Sequence, residues 1–253
     1  MAGETIKTRA VVLDIRPWSR TSHVVTWLTP EAGIVATPVK GAVRPKSAFL
    51  GQYDFFYTCE LVYYARARGE LHAIRETTPL VFREGLRRNW RAAAWASYAA
   101  QLVKEHCPHN SEAAEWMLFF ERSLDSVAAE RPESAGGDRG LMRALAGFEL
   151  GFLRLAGLTP DFSQADFSAS EVPFSIDSGC AGEGVRTVRL PVSAALFLAG
   201  RAEPATVEDF MAAVRFLGLF MRYHLGTAPE MRRMVLEMLG MGTRETPENS
   251  AGK

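Results

Sequence analysis

The chain has 253 residues, of which 47% are hydrophobic and 23% are charged. These proportions are ordinary for a globular protein and exclude collagen-like, coiled-coil and wholly disordered chains. No apolar run approaches the ~20 residues that a membrane-spanning helix needs, and the first residues lack the features of a secretory leader. We therefore expect a cytoplasmic protein without a membrane anchor, folded as one large domain or two small ones.

The charge is balanced overall but unevenly distributed. Basic residues (Lys plus Arg) and acidic residues (Asp plus Glu) each number 29. Residues 1–88 contain 13 basic and 8 acidic side chains, whereas the remaining 165 residues contain 16 and 21. This asymmetry predicts different partners for the two parts.

The first part of the chain contains short β-rich segments. They occupy residues 10–15, 23–28, 34–39, 55–64 and 71–75. Turn-forming residues separate them, with Pro17 after the first segment and Gly33 and Gly69 at later breaks. Five short antiparallel strands within about 75 residues predict a small closed barrel, either an OB-fold or an SH3-like barrel.

After Phe82 the apolar residues recur with the period of an α-helix. Thr206 is expected to cap one of these helices, and a last helix is expected at residues 230–239. The apolar stripes are Trp95, Tyr98 and Leu102; Trp116, Phe119, Phe120, Leu124 and Val127; Leu141, Leu145, Phe148, Phe152 and Leu155; and Val207, Phe210, Val214, Leu217 and Met221.

Residues 159–190 interrupt this helical pattern. They are rich in Ser, Asp, Gly and Pro, which favours either a mobile segment or a small appended module. We therefore expect an α+β protein with a five-stranded barrel domain at residues 1–80 and a mainly α-helical domain at 81–240. Residues 241–253 are expected to form a flexible tail.

The sequence carries no motif for nucleotide hydrolysis. The segment Gly41-Ala-Val-Arg-Pro-Lys-Ser47 superficially resembles a phosphate-binding loop. That loop needs Gly immediately before its Lys and another Gly six residues before it, where this chain has Pro45 and Lys40. We expect a protein that is not an enzyme and needs no cofactor.

Cysteine and histidine spacing predicts neither disulfides nor a metal site. Cys59, Cys107 and Cys180 lie far apart, as is typical of reduced thiols. The segment His106-Cys-Pro-His109 matches no standard zinc-ligand spacing and is more typical of a helix that ends before Pro108.

Basic side chains cluster in four segments of the first part of the chain. They are Lys40, Arg44 and Lys46; Arg16 and Arg20; Arg66, Arg68 and Arg75; and Arg87 and Arg88. Such residues either bind the phosphates of DNA or serve only to solubilise the surface. Of the aromatic residues within 55–64, about half are expected to pack in the core, which leaves the others free to stack on unpaired bases.

Several of these segments, taken in order, carry a family resemblance. They are residues 10–14 with Arg16-Pro17, residues 22–33, residues 40–47 and residues 68–76. Together they resemble the amino-terminal signature of RecO, a family of bacterial recombination mediators. Residues 148–160 and 222–226 are similar to the helical part of the same family.

The resemblance implies an amino-terminal OB-fold, a helical carboxy-terminal domain and a nucleoid-associated mediator of DNA repair without catalytic turnover. Members of the family bind single- and double-stranded DNA, anneal complementary strands and bind the acidic tail of single-stranded DNA-binding protein. With RecR they help to load RecA onto DNA. Many carry a four-cysteine zinc module in the segment that matches residues 159–190, where this chain has only Cys180, so we expect no zinc.

The resemblance also implies where partners bind. Lys40, Arg44 and Lys46 match the basic loop of the family and are the expected DNA-binding centre. Separately from the resemblance, Arg232 and Arg233 form a local basic spot in the net-negative second part of the chain and are candidates for binding an acidic peptide tail. Two alternatives remain: an adaptor whose barrel arginines only solubilise it, and a nucleic-acid enzyme that would degrade DNA in the presence of Mg²⁺.

Overall fold

A computed structural model describes residues 4–66, 71–129, 137–204, 206–226 and 230–240. Its first part is an antiparallel five-stranded sheet in the order β3-β2-β1-β4-β5. The strands are β1 (Thr5–Ser19), β2 (Ser22–Thr29), β3 (Gly33–Val39), β4 (Thr58–Tyr64) and β5 (Ala73–Val81).

The two outer strands of this sheet approach each other. A parallel bridge joins Ala36 to Leu71, and the His72 amide donates a hydrogen bond of 2.9 Å to the Ala36 carbonyl. The contact is a single bridge rather than a continuous ladder, so the barrel is curled but not fully closed. Strand order and this adjacency together give the OB-fold that the sequence predicted.

Several strand boundaries differ from those expected. Pro17 does not end β1, because the strand continues to Ser19 through an irregularity of register. β4 begins at Thr58 rather than at residue 55, since Phe56 has a left-handed backbone with φ of 64°. β5 extends past residue 75 and includes Pro79, which an outer strand accommodates.

Side chains alternate between the two faces of β1. Ala10 and Val12 point into the barrel, where they join a cluster that includes Trp27. Val11 and Leu13 point the other way and pack in the helical core. This period of two allows one strand to serve both cores.

Seven helices occupy the described residues that follow Val81. They are α1 (Glu84–Arg88), α2 (Trp90–His106), α3 (Ala113–Ala129), α4 (Gly137–Leu155), α5 (Val192–Leu198), α6 (Val207–Leu225) and α7 (Glu230–Met238). The apolar stripes were located correctly, and Thr206 caps α6 in a capping box with Asp209. The short helices α1 and α5 were not predicted. The expected tail at 241–253 lies outside the described residues.

The segment 159–190 is an appended module rather than a mobile loop. It forms a sheet in the order β7-β6-β8, with β6 (Glu171–Ser175), β7 (Cys180–Ala181) and β8 (Thr187–Pro191). Phe174 on β6 contacts Phe162, Phe216 and Phe220, with ring centroids 4.8 to 6.1 Å apart. Burial of these rings attaches the module to α6.

Arg83 connects the barrel to the helices. It is buried, and its guanidinium donates hydrogen bonds to the Phe56 carbonyl at 2.8 Å and to the Thr58 hydroxyl at 3.0 Å. The same group pairs with Asp125 at 2.6 Å and with Glu121 at 3.6 Å, both on α3. One side chain therefore bonds to the start of β4 and to the adjoining helix.

In the described part of the chain, no helix is long and apolar enough to cross a membrane.

Candidate nucleic-acid interface

The segment that follows β3, here called the basic loop (residues 40–47), presents three exposed cations, Lys40, Arg44 and Lys46. Two turns shape it: the Arg44 amide bonds to the Gly41 carbonyl at 3.1 Å, and the Ser47 amide bonds to the Arg44 carbonyl at 2.9 Å. Within the described residues, none of the three cations is paired with a carboxylate. The loop therefore carries uncompensated positive charge.

The β1–β2 turn lies directly beside the basic loop. The Gly41 amide donates to the Ser22 hydroxyl at 3.2 Å, and the Val43 amide donates to the Thr21 carbonyl at 3.4 Å. This places the segment that holds Arg16 and Arg20 next to the loop. Both arginines are exposed, as the sequence predicted for a binding surface.

The two arginines of the turn differ in their electrostatic surroundings. Arg16 Nε lies 2.8 Å from a carboxylate oxygen of Asp14, and the same oxygen is 3.0 Å from Lys104 Nζ on α2. Among the described residues, Arg20 has no carboxylate partner. Arg20 is therefore the more available of the two for a phosphate.

Helix α1 adds cations at the other end of the β3–β4 connection, just before β4. Arg87 donates to the Tyr57 hydroxyl at 2.6 Å and pairs with Asp54 at 3.2 Å. Arg88 is exposed in the last turn of the helix. These contacts attach α1 to the same connection that begins with the basic loop.

The fourth basic segment surrounds the β4–β5 hairpin. Arg66 and Arg75 are exposed, and Arg68 lies outside the described residues. The Arg66 amide donates to Nδ1 of His72 at 3.1 Å. Burial, followed by the charge of Arg66, lowers the pKa of His72, which favours the neutral ring that can accept this bond. No hydrogen bond or ion pair between described residues joins this hairpin to the basic loop.

Aromatic residues are divided between the core and the surface. Phe56, Tyr57 and Tyr63 are buried, whereas Phe55 and Tyr64 are 45% and 38% exposed. The expectation that part of this group packs in the core is therefore confirmed.

One expectation is corrected by the structure. Arg232 is not on an exposed basic patch, because it is buried against Glu149 with N···O distances of 2.7 and 3.0 Å. Its second nitrogen also donates to the Val214 carbonyl at 2.6 Å. Arg233 is exposed but lies within 3.7 Å of Glu237 in the next turn. Arg232 is therefore unavailable to an acidic tail in this structure, whereas tail binding by Arg233 stays a prediction.

A cavity among the helices went unnoticed in the sequence. It has a volume of about 880 Å³, is partly open to solvent and lies between α2, α3, α4, α5 and α6. Aromatic rings line it, including those of Phe119, Phe148, Phe197 and Phe210. Trp95 also lines it, and its buried indole nitrogen has no hydrogen-bond acceptor in the described part of the chain. Arg122 is exposed at the same cavity. Only assembly of the helices reveals this site, since Trp95, Phe119, Phe148 and Phe210 each belong to an ordinary apolar stripe and Phe197 lies on a helix that was not predicted.

The sequence of this chain is similar to those of known proteins. Residues 1–81 match the sequence profile described as "Recombination protein O N terminal". The chain is 28% identical over 259 aligned residues to the DNA repair protein RecO of Anaeromyxobacter sp. (strain K), covering 93% of this chain and 97% of that protein. Residues 1–81 thus match the amino-terminal domain of the RecO family, and the chain is similar to RecO proteins over most of its length.

Other RecO proteins show similarity over shorter lengths. The DNA repair protein RecO of Anaeromyxobacter sp. (strain Fw109-5) is 33% identical over 163 residues, covering 62% of this chain and 58% of that protein. That of Erwinia tasmaniensis is 27% identical over 164 residues, covering 65% and 62%. All of these relatives are named DNA repair proteins.

Proposed function

We propose that this protein is a recombination mediator of the RecO family that binds single- and double-stranded DNA and anneals complementary strands. With RecR it helps to load RecA onto DNA coated by single-stranded DNA-binding protein, and it breaks no covalent bond. The observation that carries the proposal is the basic loop, whose three exposed cations have no carboxylate partner among the described residues.

The charge of this surface supports a role in annealing. Cations that neutralise phosphates reduce the repulsion between two DNA strands. Contacts to the backbone leave base edges free, so the two strands can still pair. The β1–β2 turn and α1 extend the positive surface on either side of the β3–β4 connection, and the resulting DNA path includes Arg16, Arg20, Arg87 and Arg88. Arg66, Arg68 and Arg75 would add a separate contact at the β4–β5 hairpin.

Replacement of Lys40, Arg44 and Lys46 by Ala together is expected to weaken binding of single-stranded DNA. Loss of three phosphate contacts should reduce the slope of log affinity against log salt by about 2. The measurement is fluorescence anisotropy of a labelled oligonucleotide across a salt series. A matched control replaces Arg215, Arg222 and Arg233, three exposed cations of α6 and α7, by Ala.

The outcomes separate the possible functions. Equal losses in the two triple variants would contradict a DNA surface centred on the basic loop. Absence of salt-sensitive binding by the wild type would favour an adaptor. Shortening of the oligonucleotide when Mg²⁺ is added would indicate a nuclease.

For the partner tail we propose the aromatic cavity among the helices. Its rings suit an apolar side chain, and Arg122 supplies a cation for an acidic peptide. The neighbouring Arg143 is already paired with Glu203 at 2.5 Å. The tail meant here is the acidic tail of single-stranded DNA-binding protein, the partner that the family resemblance implies.

Arg122→Ala is expected to weaken binding of a labelled peptide with that tail sequence by about 10-fold, because a charge-assisted hydrogen bond is lost. Titration by fluorescence anisotropy measures the affinity. Arg215→Ala, at an exposed cation of α6, is the control and should leave the affinity for the peptide unchanged. Arg122→Ala should leave the affinity for DNA unchanged. Similar peptide losses in the two variants would exclude this cavity.

A further inference from the structure

Trp18 has an unusual position at the end of β1. Pro17 is paired with His23 and Ser19 with Ser22, so the irregularity between them leaves Trp18 without a facing residue on β2. Bulges of this kind redirect a side chain away from the regular pattern of the sheet. The indole of Trp18 is 52% exposed.

Nothing in the described part of the chain covers the ring of Trp18 with another ring or a guanidinium. The other tryptophan of comparable exposure, Trp90, has the Arg91 guanidinium 5.7 Å from its ring. Trp27, in the barrel core, donates a hydrogen bond to Thr37 at 2.9 Å. Among the described residues, the Trp18 ring therefore makes no aromatic or cation–π contact that would stabilise the fold.

The surroundings of Trp18 are positively charged. Arg20 follows two residues later, and the turn bonds to the basic loop through Thr21 and Val43. A flat aromatic surface beside cations is the arrangement that binds single-stranded nucleic acid, where the cations hold the backbone and the ring stacks on a base.

We propose that Trp18 stacks on an unpaired base and gives this surface a preference for single-stranded over double-stranded DNA. The inference rests on the proposed DNA binding and adds the feature of DNA that is recognised. Phosphate contacts alone exist in both kinds of DNA. Within a duplex each base is stacked between its neighbours, so only single-stranded DNA offers an open base face to the indole.

The test compares Trp18→Ala with the wild type on three labelled probes of equal length. They are a single-stranded oligonucleotide, an abasic strand that has the same backbone but no bases, and a blunt duplex. Trp18→Ala should weaken binding of the first probe about 10-fold and leave the other two unchanged. Trp18→Phe, which retains an aromatic ring, should recover most of the lost affinity.

Controls separate stacking from a loss of structure. Trp90→Ala removes a tryptophan of similar exposure and should preserve affinity for all three probes. The thermal unfolding midpoint of each variant reports whether the fold is intact. DNA should quench the fluorescence of the wild type, and most of that quenching should disappear in Trp18→Ala.

Each alternative result has a distinct meaning. Equal weakening for the three probes, or unchanged binding of the single-stranded probe, would overturn the role of Trp18 while DNA binding by the protein stands. Failure of the wild type to bind any probe would overturn the proposed function itself.

Discussion

At the scale of single residues, Arg232 shows how burial changes the meaning of a basic residue. Its guanidinium meets Glu149, which also accepts a hydrogen bond from the Tyr98 hydroxyl at 2.7 Å. Burial disfavours the charged guanidinium, but the carboxylate of Glu149 outweighs this effect and raises the pKa of Arg232. Burial and the same carboxylate raise the pKa of Tyr98, so its hydroxyl stays protonated and can donate. Arg232, Glu149 and Tyr98 therefore form a buried hydrogen-bonded network.

Arg232→Ala is expected to lower the free energy of unfolding by about 3–5 kcal/mol, because it leaves the carboxylate of Glu149 buried without its cation. Urea denaturation measures the change. Arg233→Ala, at the adjoining exposed position, should change stability by no more than about 0.5 kcal/mol. Equal effects of the two substitutions would show that the buried pair does not stabilise the protein.

The same residue explains a limit of sequence reasoning about the site. Two adjacent arginines on a helix look alike in a sequence, yet Arg232 is buried and Arg233 is exposed. Which one faces the core depends on where Glu149 lies, 83 residues earlier in the chain. Exposure of the basic loop was easier to predict, since turns rich in Gly and Pro lie at the surface.

At the scale of secondary structure, regular periodicity was the dependable guide. The long helices α2, α3, α4 and α6 were predicted because each carries several apolar residues at helical spacing. The small sheet of β6, β7 and β8 was missed because its strands have only five, two and five residues. Its stabilising partners, such as Phe216 and Phe220, come from a distant helix. Periodicity within such short strands contains too little information.

Helix α1 depends on a close approach that only glycine permits. A Cβ atom on Gly85 would overlap the Ala128 carbonyl at the end of α3. Since both groups belong to the backbone, one helix would have to move to relieve the overlap. The position of α1, and with it that of Arg87, therefore depends on the absence of a side chain at Gly85.

Gly85→Ala is expected to destabilise the protein by about 1–3 kcal/mol, because the added methyl group forces α1 and α3 apart. Thermal or urea unfolding measures the effect. Gly147→Ala on α4 is the matched control, since a Cβ atom there meets nothing within 4 Å. That control should be neutral or stabilising by up to about 1 kcal/mol. A Gly85→Ala variant as stable as the control would contradict the close approach.

At the scale of the whole molecule, the barrel and the helices share one interface. Val11, Leu13, Leu28 and Phe56 of the barrel are buried in the helical core. Arg9 on β1 pairs with Glu121 on α3 at 2.9 Å, and Arg83 reaches the same carboxylate. The proposed DNA-binding surface on the barrel is thereby held in a fixed position relative to the aromatic cavity of the helices.

Carboxylates lie beside two of the arginines that are proposed to contact DNA, Arg16 and Arg87, and would act as built-in counterions. If a phosphate replaces Asp14 as the partner of Arg16, the Asp14 carboxylate still has Lys104 as its partner. The sodium ion released from the DNA then goes into bulk solvent. If a phosphate replaces Asp54 as the partner of Arg87, the Asp54 carboxylate has no second cation among the described residues. It would then bind a sodium ion, which offsets the sodium ion released from the DNA. On the proposed DNA path, an Arg16 contact should therefore add to the salt dependence of binding, whereas an Arg87 contact should contribute little to it. The number of phosphates bound should then exceed the number that a salt titration reports.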